Sequence, residues 1–388
     1  MFFKLGSFIY KARWAVIITW GIVIVLGGIF APKATEILKS GGFDLPNAEA
    51  VKVSDELAAR FNNSRSYLFA VFTAPNGTRA DDPNYAKQVD TAVNGLRGYS
   101  DVQQVVTFAS SGAKDFVSAN GKYTYALIGL NLGYDQAQQK AADIEKQIKP
   151  GQLDMKLSGL PVIYEAINQV SQHDVEQAEL YTFPLALIIL LLVFRTVIAA
   201  TMPLMMAIVS VITTLGAIYF VGQIMDVSVF VLNICTILGL GLGIDYSLFV
   251  VGRFREELYK QNGRVEGAVK TTIGTAGKAV FVSGLTVMIG LGSLLLFQFT
   301  MLKSIGIGGL LVVGLSVLAA LTLLPAVLGV LGHRINSLKV PGLASIEHKI
   351  ARQHSGFGFW HRLAEWVSKR PVVVAVVVLA FLLLVGSP

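Results

Sequence analysis

The sequence is poor in the residues that disulfide-bonded, metal-binding and soluble proteins rely on. It has one cysteine, Cys235, set in an apolar run, so it carries no disulfide framework and no cysteine metal cluster. Its five histidines, at 173, 333, 348, 354 and 361, form no HExxH motif and no i, i+4 pair, and no zinc site starts from them. Charged residues make up only 15% of the chain, against about 25% in soluble domains, which argues against an ordinary cytoplasmic enzyme. The apolar residues come in blocks, which excludes disorder, and glycine has no fixed period, which excludes collagen. The stretch Gly274-Thr-Ala-Gly277-Lys278 lacks the Gly-x4-Gly-Lys-Ser/Thr spacing of a phosphate loop. Nothing therefore indicates ATP hydrolysis, and an ion gradient is the remaining candidate energy source.

What the chain does have is apolar length. Of its 388 residues 53% are hydrophobic, and the mean hydropathy is +0.60. A helix that crosses a bilayer needs roughly 20 mostly apolar residues. Seven stretches meet or approach this, at about 14–31, 180–194, 197–221, 229–251, 279–299, 304–331 and 371–386. The first follows Lys4, Lys11 and Arg13 and runs into Ala31-Pro32-Lys33, without a clear small-x-small cleavage site, so it reads as a retained anchor. The organisation expected is an N-terminus and first span over 1–32, a polar block over 33–178, spans two to six over 179–332, a linker over 333–370 and a seventh span over 371–388. Trp360, Arg362, Trp366, Lys369 and Arg370 fit an amphipathic helix at the end of that linker.

Charge sets the orientation. With the N-terminus inside, the inner segments hold 17 basic and five acidic residues, whereas residues 33–178 with the adjoining Glu179 hold 14 basic and 18 acidic ones. Lys and Arg in short loops resist translocation, so this bias places the N-terminus in the cytoplasm and 33–178 outside. The net charge of +7 is then a topology signature. It is not a nucleic-acid footprint, because the cations are spread over separate short loops.

Within the outer block, residues 48–62 read as a helix and Ser66 to Thr73 as a buried strand. Asp81-Asp82-Pro83 opens a helix to about Arg97, with acidic residues and proline suited to a first turn. Val102–Phe108 and Tyr123–Leu132 read as further strands, Asp135 as the cap of a helix to about Ile148, and Leu153–Leu157 as a fourth strand. The order βαββαβ builds a ferredoxin-like sandwich. His173 lies on the helix leading into the second span and reads as a solvated stalk residue.

The most informative stretch is Gly239-Leu-Gly241-Leu-Gly243-Ile-Asp245-Tyr246 in the fourth span. Asp245 is the one acidic residue well inside any span, and a carboxylate there costs several kcal/mol unless it is neutralised, paired or hydrated. It is expected to face other helices or a wet cavity. Gly241, one turn earlier on the same face, leaves room for a helix to approach, and Gly239 and Gly243 align with Tyr246 in the same way. A carboxylate taken out of water can load and unload a proton near neutral pH, and a tyrosine hydroxyl alongside can donate to its ionised form. This pattern suits a proton relay, with Ser283 and Thr286 in the fifth span as further candidate partners of Asp245. A structural hydrogen bond between helices is the plainer alternative. Catalysis of the intramembrane aspartyl protease kind fits poorly, because a residue separates Gly243 from Asp245 and no second buried aspartate exists.

One span, a large outer domain, five close spans and another span resemble the first half of a resistance-nodulation-division transporter, and more narrowly the MmpL family. Residues 239–257 (GLGLGIDYSLFVVGRFREE) look like that family's fourth transmembrane helix, and Lys303 to Gly308 with Leu321 to Pro325 like its sixth. The resemblance implies an α-helical polytopic membrane protein with an extracytoplasmic α+β porter domain, at the plasma membrane. It implies proton-driven export of lipids or other hydrophobic molecules, no enzymatic activity and no cofactor beyond the proton gradient. Asp245 and Tyr246 match the family's relay pair. The family usually has two such halves, so the chain is expected to be a fragment or truncated product, or else a half-transporter that pairs with itself or a partner. A non-transporting lipid receptor or scaffold of sterol-sensing type shares the architecture and is the alternative function.

Overall fold

The computed structural model describes residues 1–39, 48–339 and 359–386. A short helix α1 (Phe2–Lys11) leads into α2 (Arg13–Ile37), and α3 (Glu49–Phe61) follows. Then come β1 (Ser66–Thr73), α4 (Pro83–Val93), β2 (Val102–Val106), α5 (Phe108–Ser111), β3 (Tyr123–Leu130), α6 (Tyr134–Gln147) and β4 (Asp154–Ser158). The remainder is helical: α7 (Leu160–Phe194), α8 (Val197–Gly222), α9 (Phe230–Lys260), α10 (Val265–Thr272), α11 (Lys278–Gly292), α12 (Thr300–Leu318), α13 (Leu324–Leu331), α14 (Phe359–Lys369) and α15 (Pro371–Gly386).

The four strands form one antiparallel sheet in the order β2-β3-β1-β4, with Ala70 of β1 opposite Ala126 on one side and Leu157 on the other. This is the ferredoxin-like arrangement expected from βαββαβ. Strand period two decides which face is covered: Leu68, Ala70 and Phe72 are buried, and α4 and α6 close over them with Tyr85, Val89, Val93, Ala137 and Ile144. A fully buried side chain such as Phe72 contributes about 2 kcal/mol.

The helix ends depart from expectation in instructive ways. Asp82 caps α4 by accepting from the backbone N–H groups of Asn84 and Tyr85, with Pro83 in the first turn as expected. The α-helix stops at Val93 rather than Arg97, and a 3-10 turn covers Asn94–Leu96. Asp135 is not a cap. Gly133 takes that position, and Asp135 lies within the first turn, where its charge still complements the helix dipole. Sequence reading missed α5, which is held by a reciprocal capping box between Thr107 and Ser110.

Among the described residues, six helical segments are long and apolar enough to cross a membrane: Arg13–Thr35, Leu160–Phe194, Val197–Gly222, Phe230–Lys260, Val265–Leu296 and Thr300–Asn336. A seventh, Pro371–Gly386, is bent by 95° from Arg362–Lys369 before it. The second span is the end of a continuous 35-residue helix that starts at β4, so the sandwich feeds directly into the membrane. His173 lies on its exposed face, beside Gln177. Two spans contain π-helical turns, Ile273–Gly277 and Ala319–Leu323, the second directly before Pro325. Most of the linker, residues 340–358, lies outside the described residues.

Small residues let the spans approach closely. A Cβ on Gly216 of α8 would stand 2.6 Å from the Gly27 Cα of α2. Hydroxyls then tie helices together where no water competes: Ser210 with Ser316 at 2.5 Å, and the Trp20 indole N–H to the Thr322 oxygen at 2.9 Å. Lys39 pairs with Asp226 at 2.7 Å and joins the end of α2 to the α8–α9 connection.

In the sandwich, Asp90 ties three pieces together. It accepts from the Arg97 guanidinium at 2.6 and 3.0 Å and from the Thr107 hydroxyl at 2.7 Å. The Arg97 bond, helped by Thr107, holds its carboxyl below the usual carboxylate range. A lowered folded pKa contributes stability that is present above the unfolded value, about 3.9, and lost as pH falls through the folded one. Asp90→Ala is expected to cost about 1 kcal/mol at neutral pH. The difference should fade as pH falls from the unfolded value through the folded one. Hydrogen exchange of β1 and α4 amides across pH checks both.

Candidate functional site

The site is built on α9. A helix turns 100° per residue, so residues four apart share a face. Gly239, Gly243, Tyr246 and Val250 are buried, whereas Ile237, Gly241, Asp245 and Phe249 are exposed. The sequence had placed Gly241 with Asp245 and Gly239 and Gly243 with Tyr246, and the two faces divide in that way. A Cβ on Gly243 would stand 2.5 Å from the Ala207 Cα of α8, and one on Gly239 would stand 2.8 Å from Val211 and 3.2 Å from Val312. Gly241 meets nothing within 4 Å. The glycines on the Tyr246 face are thus spent on packing within the bundle, and the one beside Asp245 opens onto a bare face.

Asp245 lies fifteen residues into α9 from Phe230, about 22 Å along the axis at 1.5 Å per residue. Among the described residues no hydrogen bond or ion pair reaches its carboxylate. The basic residues of α9 are Arg253, Arg255 and Lys260, and Arg255 donates to the Phe194 carbonyl at 2.8 Å and to the Asn336 side-chain oxygen at 2.7 Å. Arg253 pairs with Glu257 at 2.7 Å and with Glu256 at 2.9 Å, and Lys260 also pairs with Glu256. Arg253 starts about 12 Å farther along the helix, so no cation of α9 locks Asp245.

Several expected partners go elsewhere. Tyr246 does not donate to Asp245: its ring is buried against the bundle, and its hydroxyl has no hydrogen-bond partner. The reason is geometric, since adjacent residues of a helix point about 100° apart. Ser283 of α11 lies beside the Tyr246 hydroxyl, not against Asp245, and falls short of hydrogen-bonding geometry. Thr286 bonds the Val282 carbonyl of its own helix at 3.0 Å. Sequence reading missed Ser247, which is fully buried with its hydroxyl unpaired, and Thr214 of α8, in the same state. Both looked like ordinary helix residues that bond their own backbone. An unpaired buried hydroxyl costs about 1–3 kcal/mol. Among the described residues the bundle holds four: Tyr246, Ser247 and Thr214 on the two helices that pack through Gly243, and Thr272 on α10.

The sequence profile of the MMPL family matches residues 43–374. The chain belongs to that family. It is 31% identical over 419 residues to the trehalose monomycolate exporter MmpL3 of Mycobacterium tuberculosis, covering 100% of this chain and 44% of that protein. It is 28% identical to the heme uptake protein MmpL11 of the same species, covering 99% of this chain and 40% of that protein. A Streptomyces coelicolor membrane protein is 31% identical, with 96% of this chain and 51% of that protein covered. The chain spans about half the length of the curated relatives it matches. As an MMPL protein it is a multi-pass membrane protein with a porter-like α+β domain, the architecture expected from its sequence.

The glycine geometry generates a paired test. Gly243→Ala pushes against the α8 backbone and is expected to destabilise the protein by about 1–3 kcal/mol. Gly241→Ala points into open space and is expected to stay within about 0.5 kcal/mol of the parent. Thermal unfolding in detergent compares them, and equal losses would contradict the assignment of faces.

Proposed function

We propose that this MMPL chain works in proton-driven export of lipids or other hydrophobic molecules across the plasma membrane, with Asp245 carrying the proton. The observation that carries this reading is Asp245 itself: a carboxylate deep within a span, unpaired, on a glycine-lined face, with no cation of α9 to neutralise it. Such a group can take up and give back a proton as its surroundings change between wet and dry. Tyr246 and Ser247 supply hydroxyls on the bundle side of α9, and Ser283 lies beside that of Tyr246. In this reading Tyr246 gates the relay from the bundle side; it is not a direct donor.

The family supports the cargo class. MmpL3 exports a trehalose-linked lipid, and a chain with this architecture is proposed to move amphiphiles of similar kind through its sandwich domain. The charge bias supports a cytoplasmic N-terminus, with residues 33–178 outside. The bare Asp245 face suits a second half, supplied by more of the same polypeptide or by a partner, that covers it during the cycle. The reading is of a transporter, with Asp245 as a proton carrier and not a catalyst.

The test is Asp245→Asn in the full-length protein, reconstituted in vesicles with an imposed pH gradient and a fluorescent lipid cargo. Gradient-dependent cargo movement is expected to fall to background. Thermal stability should change by no more than about 0.5 kcal/mol, because the side chain touches nothing in this bundle. Normal gradient-driven movement by the variant would overturn the relay. Cargo binding that persists unchanged without a gradient, and without any transport by the parent, would favour the lipid-receptor alternative.

A further inference from the structure

A cleft of about 690 Å³ opens at one tip of the sandwich, where the end of β1 meets the start of α4. Thr73 in its wall pairs across the sheet with Asp154, the first residue of β4. The sheet meets the membrane helices at its other end. There Arg65, just before β1, shares a pocket with Ile37 at the end of α2, and α7 leaves after the last residue of β4. β1 is eight residues long, about 25 Å at roughly 3.3 Å per residue, so the cleft opens on the side of the domain away from the bundle.

The side chains of the wall are polar and unspent. Asn76, Asn84, Gln88 and Gln152 contribute four amides, and Asp154 contributes a carboxylate. Among the described residues no hydrogen bond or ion pair occupies any of these five side chains. Tyr85 also lines the cleft; it is 3% exposed, and its hydroxyl is enclosed without a hydrogen-bond partner. Burial, and then the charge of Asp154, push the pKa of that hydroxyl up, so the two groups lie close together. A buried hydroxyl without a partner is costly, and a ligand that supplies the partner recovers that cost.

The frame around these groups is fixed. The Ala74 N–H donates to the Lys122 carbonyl at 2.9 Å and the Ala80 N–H to the Gly121 carbonyl at 2.8 Å, which joins the loop after β1 to the turn before β3. Asp82 accepts from the backbone N–H groups of Asn84 and Tyr85, so the start of α4 is already capped and its dipole is not what a ligand would meet.

The lining selects the kind of ligand. An anion is disfavoured, because Asp82 and Asp154 stand against a single lysine, Lys122. A metal ion is disfavoured too, since no group of three carboxylate, imidazole or thiol side chains gathers among the described residues. An acyl chain would find only Ala74, Pro75 and Leu153. A neutral ligand rich in hydroxyls remains. An amide both donates and accepts and a carboxylate accepts at two oxygens, which matches the adjacent hydroxyls of a sugar ring.

We propose that this cleft binds a neutral sugar unit of a glycan outside the membrane, with Asp154, Gln88 and Gln152 taking its hydroxyls and the Tyr85 hydroxyl gaining a partner. The outer location of the glycan rests on the orientation assigned from charge, whereas the binding chemistry does not. Because the cleft opens away from the bundle, its ligand arrives from the surroundings and not from the bilayer, which separates it from transported cargo. A glycan held there would tether the sandwich domain.

The experiment applies the purified, fluorescently labelled full chain, in a detergent without a sugar headgroup, to an array of neutral and acidic glycans. No pH gradient is present, so the outcome is independent of the proton relay. Binding to neutral glycans is expected, and the neutral oligosaccharide with the strongest signal is then titrated in free form by calorimetry. Asp154→Asn should weaken binding about tenfold and Gln88→Ala about threefold, with thermal stability unchanged, because both side chains are exposed and unpaired. Tyr85→Phe should weaken binding while keeping or raising the melting temperature of the free protein. No glycan bound above background, or unchanged affinity when Asp154→Asn and Gln88→Ala are combined, would overturn the proposal. Binding of the glycan only when it is linked to an acyl chain would also overturn it, by making the cleft part of the cargo path.

Discussion

The contact between Gly243 and Ala207 fixes everything that the membrane domain can do. With the Ala207 Cα standing 2.5 Å from where a Cβ of Gly243 would be, α9 can meet α8 at this depth only with Gly243 turned inward. Helical geometry then leaves no choice for its neighbours. Gly239, Tyr246 and Val250 go inward with it, and Gly241, Asp245 and Phe249 go outward. The carboxylate is presented because a glycine two residues away is packed. The same rotation buries the Tyr246 hydroxyl without a partner, so one backbone contact sets both an accessible acid and an enclosed hydroxyl beside it.

Much of this was legible in the sequence, and the reason is the strength of the signals. Blocks of apolar residues located the spans, although the second and fifth helices begin well before the expected stretches, at Leu160 and Val265, because their first turns are polar. The face shared by Gly241 and Asp245 follows from spacing alone. What the sequence could not show was the direction of hydrogen bonds. Tyr246 stands next to Asp245 in the chain, and adjacency suggested a donor. Adjacent helical residues diverge, and the bundle took the ring. Thr286 bonded its own backbone, as threonine in a span commonly does. Asp135 read as a cap because acidic residues favour helix starts, but Gly133 took the cap and left the charge to act through the dipole. The short helix at Phe108–Ser111 was missed because a four-residue element has no periodicity to detect; its signal was the local pairing of Thr107 and Ser110.

Polar groups in the bundle fall into two classes. Ser210 with Ser316, Trp20 with Thr322 and the Ser228 N–H with the Ser304 hydroxyl are satisfied across elements, and each ties helices where water cannot compete. Tyr246, Ser247 and Thr214 are not satisfied. In a low-dielectric interior that difference is large, because a missing partner costs more than a present one contributes. The satisfied pairs link the first, third and sixth spans and the α8–α9 connection. These three hydroxyls lie on α8 and α9, the helices that set the Asp245 face, and a fourth, that of Thr272, lies on α10.

The bare face carries its own constraint. A charged carboxylate directed at hydrocarbon from the middle of a helix costs about 2.5–3.5 kcal/mol on insertion scales. Nothing among the described residues offsets that cost by pairing, and Arg253, the nearest cation of α9, is committed to Glu256 and Glu257. The cost falls if the carboxylate is protonated, if water reaches it, or if a polar surface covers it. These three conditions differ in the charge they leave on Asp245, and a cover that alternated between them would change its protonation each time. A packed structural aspartate would be satisfied by one fixed neighbour. An unpaired one on an open, glycine-lined face is instead sensitive to whatever comes against it, and that sensitivity is the physical requirement for coupling a proton to movement.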